Sequence, residues 1–194
     1  MAVTVGKQTT NFNITPIIGV DISNTYPVYA VPGSSATQTN LYYPENSNPQ
    51  FALGTHVFGT NESEYVLCVV ATSGSINQYD LVTIDQNYNV AQTTSATGTT
   101  AMLGFNQGGG YAASQSSVTV NFCWIALRGD QLNVNSNAAV TVNSGAILYI
   151  GTAPGTIGTA SASTVLLVGV NNPASVTAAT TMAVIAQWPR VSGF

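Results

Sequence analysis

Charge is what this sequence has least of. Of its 194 residues, only 5% are Asp, Glu, Lys or Arg, where a soluble domain ordinarily carries about 25%. Lys7, Arg128 and Arg190 are the whole basic complement. A phosphate backbone is held by several cations on one face, so no nucleic-acid partner is expected. Histidine occurs once, at His56. A serine or cysteine triad would have to use that residue, which sits in a strand-like Thr-His-Val-Phe stretch and reads as structural. Together with two cysteines it is too small a ligand set for zinc, and no cofactor is expected. No apolar run reaches the roughly 18 residues of a membrane span, so no membrane partner is expected. The opening MAVTVGKQTT has no charged segment followed by an apolar core, so no secretory signal is expected. The glycosylation-like triplets at Asn13 and Asn61 are accordingly read as coincidences of composition.

Hydrophobic residues make up an ordinary 45%, and Thr, Ser, Asn and Gln carry the polar load. Such a surface hydrogen-bonds water but offers little charge to hold one strand edge away from another, so self-association is expected. The length suits one domain plus an arm. Residues 1–50 form that arm: prolines at 16, 27, 32, 44 and 49 interrupt any long ladder. Its apolar groups are too frequent for a segment left in water. Phe12, Ile14, Ile17, Ile18, Tyr26 and Tyr29 are the expected contact residues of an extended arm lying on a partner or on its own body.

Residues 51–194 form the β domain. Short apolar segments recur there between clusters of Gly, Asn, Ser and Thr, the pattern of a small all-β barrel or sandwich. Residues 64–71 are apolar on both faces after Glu64 and predict a strand covered on both sides. Residues 80–85 alternate, with Leu81, Thr83 and Asp85 opposite Val82 and Ile84, and predict a half-buried strand. An internal repeat follows. Gly74-Ser75-Ile76, residues 81–84, Val90-Ala91 and Leu103-Gly104-Phe105 make one pass. Gly145-Ala146-Ile147, residues 148–150, Thr159-Ala160 and Val168-Gly169-Val170 make another. Two similar half-barrel units closing on one another would give this order and would remove exposed edges.

The remaining chemistry is sparse. Glu62 and Glu64 are spaced to share a strand face like a glycosidase pair, though a solvated strand start explains them more simply. Residues 85–89, DQNYN, lack the glycine and terminal glutamate of a calcium loop and read as a hairpin turn capped by side chains. Gly108-Gly109-Gly110 has no lysine after it and reads as a flexible tip. Phe122, Trp124, Tyr149 and Trp188 could stack sugars, but their strand-like settings favour core packing. Cys68 and Cys123 sit in apolar runs and read as buried free thiols, with a cross-strand disulfide as the alternative. No catalytic residues are expected.

The order Phe51-Ala52-Leu53-Gly54-Thr55, then Gly59, then Glu64-Tyr65-Val66, then GSINQYDLVTID over residues 74–85, resembles head decoration, or cement, proteins of tailed bacteriophages. The later GAILY of residues 145–149, with Ala160 and Val168-Gly169-Val170, is similar to the second half of those proteins. The resemblance spans roughly residues 51–186. It implies a β-rich, non-enzymatic virion protein, assembled in the host cytoplasm, that binds the outer capsid surface and stabilises it. The implied partners are the phage major capsid protein and further copies of the chain, a trimer being favoured over a dimer. The alternative expectation is a fibre or spike domain that binds a host-surface glycan through solvent-facing aromatics.

Overall fold

A computed structural model of the chain describes residues 26–29, 52–59, 62–72, 74–94, 102–111, 119–159 and 165–191. Phe12, Ile14, Ile17 and Ile18 of the expected arm lie outside these. Every element among the described residues is a strand. In chain order they are β1 (Tyr26–Tyr29), β2 (His56–Phe58), β3 (Glu64–Val70), β4 (Leu81–Ile84), β5 (Asn89–Gln92) and β6 (Met102–Asn106). The long β7 (Thr119–Val142) follows, then β8 (Tyr149–Ile150), β9 (Ile157–Gly158), β10 (Leu167–Asn171) and β11 (Val176–Val191).

The pairings close two circuits that share β7. In the first, β3 pairs β5 in parallel, β5 pairs β4, β4 pairs β6, β6 pairs β7 and β7 returns to β3. In the second, β7 pairs β9 in parallel and β9 pairs β8. A bridge from Tyr149 to Leu166 joins β8 to the start of β10, and β11 carries the ladder back to β7. The connectivity is the same both times: a strand, a central strand, a parallel return, a fourth strand beside the central one, and a closing strand. The repeat legible in the sequence is therefore a structural duplication, with whole barrels in place of the expected halves. Closure satisfies the backbone groups that an open sheet would leave exposed.

Burial follows from the shared wall. Val66, Cys68, Val70, Val82, Ile84, Val90, Cys123, Ile125 and Leu127 fall in one buried cluster, filled from β3, β4, β5 and β7 of the first barrel. The opposite faces of the same strands contribute Tyr65, Leu67, Leu81 and Trp124 to a second cluster. That cluster continues through Leu132, Val134, Ile150, Met182 and Val184 of the second barrel. β3 is thus covered on both sides, as its unbroken apolar run predicts. β4 differs from expectation: all four of its residues are buried. Both faces are occupied, the Leu81 face by the second cluster, which local alternation cannot reveal.

At the joint between the barrels lies Asp80, 2% exposed. Its carboxylate accepts hydrogen bonds from Asn77 N at 2.6 Å, Gln92 Nε2 at 2.7 Å and Asn135 Nδ2 at 3.0 Å. Asn135 belongs to the half of β7 that builds the second barrel, so the carboxylate ties the two together. Gly155, from the turn between β8 and β9, fits against it: a Cβ there would sit 2.6 Å from the Asp80 carboxyl carbon. The backbone adds Leu81 N to Gly155 O at 2.7 Å and Asn135 N to Tyr79 O at 2.7 Å.

β1 lies on β7 of its own chain, with Tyr26 opposite Phe122 and Tyr29 opposite Thr119. Phe122 is already paired with Val69 of β3 on one side, so β1 takes the other side, the one β6 occupies farther along. The backbone of this part of residues 1–50 completes a ladder of the chain's own barrel.

Candidate interaction surface

A protein with so few charges has aligned two of them, Glu64 and Arg128, in one cross-strand row. Across four neighbouring strands the register aligns Phe58 with Glu64, Glu64 with Arg128, and Arg128 with Gln187. Glu64 is buried at 7% exposure, and its Oε1 lies 2.6 Å from His56 Nδ1. That bond is what makes burial of the carboxylate tolerable. Arg128 donates from Nη2 to Glu62 Oε2 at 2.6 Å. Its guanidinium carbon lies 5.4 Å from the centroid of the Trp188 ring. Glu62, Arg128 and Trp188 thus form a linked triad. The Glu62 side chain is 78% exposed, so the ion pair contributes at most about 1 kcal/mol, and the cation–π contact adds about 0.5–1 kcal/mol. The triad orients its members more than it stabilises the fold.

Two large aromatic side chains stand open on this face. Phe58 is 63% exposed and Trp188 50%, whereas Tyr65, Phe105, Tyr111, Phe122 and Trp124 are all buried. Trp188 is held outward by its backbone: its φ is +46°, a region that costs a bulky residue on the order of 1–3 kcal/mol. The strain is accommodated at a bulge. The β10–β11 register shifts between Val168 and Val170, and Gly169 sits there with φ +79°, where a Cβ would come within 2.5 Å of Gln187 O. Glu62, also left-handed at φ +56°, turns the chain into β3 and aims its carboxylate at Arg128.

The other sites foreseen from sequence are placed as follows. Glu62 and Glu64 are turned to different partners, one bonding Arg128 and the other His56. The four aromatics considered as a platform divide: Phe122 and Trp124 enter the core, Tyr149 is half-buried, and Trp188 is open. Asp85 caps its own turn, accepting from Asn87 N at 2.8 Å, Asn89 N at 2.9 Å and Asn89 Nδ2 at 2.8 Å. Slight burial pulls the Asp85 carboxyl up, but the bonds from Asn89 and Asn87 outweigh it and hold its pKa below the usual aspartate value. The glycine tip is not free. Gly108 is buried and donates to Asn106 Oδ1 at 3.1 Å, and Asn106 Nδ2 donates to Gly109 O at 2.9 Å. Asn106 holds the segment against the barrel, where a glycine run alone suggested mobility.

Cys68 and Cys123 are directly opposite each other on β3 and β7, buried and unbridged. Burial pushes both thiols well up, and for Cys68 the nearby Cys123 adds to the effect. Among the described residues no group of three or more His, Cys, Asp or Glu side chains is placed to hold a metal.

Sequence reasoning missed Phe58, Arg128 and their convergence with Trp188. They are separated by long stretches of chain and are brought to one region only because β2, β3, β7 and β11 lie side by side. The sequence carries no signal for Trp188: Met182, Val184, Ala186 and Trp188 alternate as one apolar face, and only the structure breaks the burial rhythm at Trp188. In comparisons with protein-family models, curated proteins and solved structures, no match to this chain was found.

Proposed function

We propose that this chain is a non-enzymatic structural protein of a tailed-bacteriophage virion, attached to the outer surface of the assembled capsid through the major capsid protein. The observation that supports this reading most is the duplicated closed-barrel body. Two barrels sharing one strand make a stiff tile with few open edges. Of the segments that resemble phage head decoration proteins, residues 81–84 and Tyr149 fall on the corresponding strands β4 and β8 of the two barrels. Residues 1–50 act as the attachment arm in this proposal, with Phe12, Ile14, Ile17, Ile18, Tyr26 and Tyr29 as contacts, and several copies associate, a trimer being preferred. Neither a catalytic group nor a cofactor has a part in it.

The test is reconstitution. Purified capsids lacking the protein are mixed with it and sedimented, and their rupture temperature is measured. Saturable co-sedimentation with a raised rupture temperature is the expected result. Free protein remaining in the supernatant at micromolar concentration, with rupture unchanged, would remove the proposal.

A further inference from the structure

We infer that the face formed by Phe58, Glu62, Arg128 and Trp188 binds an uncharged carbohydrate. Three observations lead there. Trp188 is a half-exposed bulky residue in a left-handed backbone conformation, and burial in the core does not repay that conformation. A backbone outlier of this kind points to use of the side chain it displays. The indole also has company: the Arg128 guanidinium lies against it and is itself fixed by Glu62. The guanidinium lies over one face of the indole, so a sugar ring stacks its C–H face on the opposite face while its hydroxyls reach past the indole edge to the exposed carboxylate and the guanidinium.

The third observation concerns charge. Arg128 is neutralised by Glu62, and Glu64 is engaged by His56. An anionic ligand would have to compete with Glu62 for the guanidinium, and a cationic one with Arg128 for the carboxylate. A neutral, hydroxyl-rich ligand can use both without separating them. Phe58, in the same cross-strand row, supplies a further apolar surface for another residue of an oligosaccharide. This inference does not depend on attachment to a capsid, and its test reads a different quantity.

The full-length protein is applied to an array of neutral and anionic glycans, and any neutral oligosaccharide that binds is titrated against tryptophan fluorescence. Trp124 is buried and Trp188 open, so acrylamide reaches one indole of the two. Binding is expected to shield that indole, and Trp188→Ala and Phe58→Ala are each expected to weaken binding at least tenfold with the circular dichroism spectrum unchanged. Arg128→Lys keeps the charge but loses the planar fork, and is expected to weaken binding as well. An array on which no neutral glycan binds, or on which only anionic glycans bind, would overturn the inference. So would neutral-glycan binding that survives both aromatic substitutions. Loss of capsid co-sedimentation in Trp188→Ala without any glycan binding would reassign the face to a protein partner.

Discussion

Asp80 is the residue on which the joint between the barrels turns. It is a buried carboxylate held by three neutral donors, two from the first barrel and one from the second. Asp80→Ala removes the acceptor and leaves all three donors without it, so a loss of about 2–4 kcal/mol is expected in urea denaturation. Asp80→Asn retains one acceptor oxygen and should lose roughly half as much. A change below about 0.5 kcal/mol for the alanine variant would mean that the joint is held elsewhere. The thiols act at the same scale and show a pH dependence. Their folded pKa values are raised, so the unfolded chain ionises first. Stability is intact below the unfolded cysteine pKa of about 8.5 and falls as pH rises beyond it, by on the order of 1 kcal/mol per pH unit for each thiol. Cys68→Ala combined with Cys123→Ala should flatten that alkaline limb. Native protein should resist alkylation at pH 8, and denatured protein should show both thiols.

At the scale of elements, Gly104 in β6 and Gly169 in β10 hold corresponding positions in the two barrels. Both allow the fourth strand to come close to the closing strand. A Cβ at Gly104 would collide with the Ile125 side chain, and one at Gly169 would meet the backbone of Gln187. The physical demand differs: Gly104 is a question of space, Gly169 of space and of a left-handed φ. Gly104→Ala and Gly169→Ala are each expected to cost about 1–3 kcal/mol, the second at least as much as the first. Thermal denaturation of the two variants checks this, and an unchanged midpoint in either would break the equivalence. β7 is the element that the duplication turns on. Its first half closes one barrel and its second half opens the next. The handover comes at Gly129 and Gln131, the latter left-handed at φ +58°.

For the whole molecule, the measurable question is what residues 1–50 do. The four residues of β1 extend a ladder of the chain's own β7. Deleting residues 1–40 uncovers β7 over Thr119 to Phe122 and removes every proposed arm contact. Under the proposal the truncated protein still folds, with a strand-dominated circular dichroism spectrum, and no longer co-sediments with capsids. Unchanged attachment would remove the arm from the mechanism, and failure to fold would make it part of the body. Sedimentation of the full-length protein on and off the capsid then tests the preferred trimer. A strictly monomeric species in both settings would contradict it.

By itself the sequence determined the class of this protein, because class follows from local periodicity. Short β-branched runs between Gly and Asn turns read as strands, and their recurrence made a duplication legible before any pairing was known. It also determined that Cys68, Cys123 and β3 are interior, since an unbroken apolar run has no face to give to water. Tertiary structure alone decided the rest. Whether the second face of β4 is wet depends on a barrel built from residues far later in the chain, at Ile150, Met182 and Val184, beyond any local window. The convergence of Phe58, Glu62, Arg128 and Trp188 was decided in the same way. Long-range register between strands brings them together, and register is a property of the closed sheet.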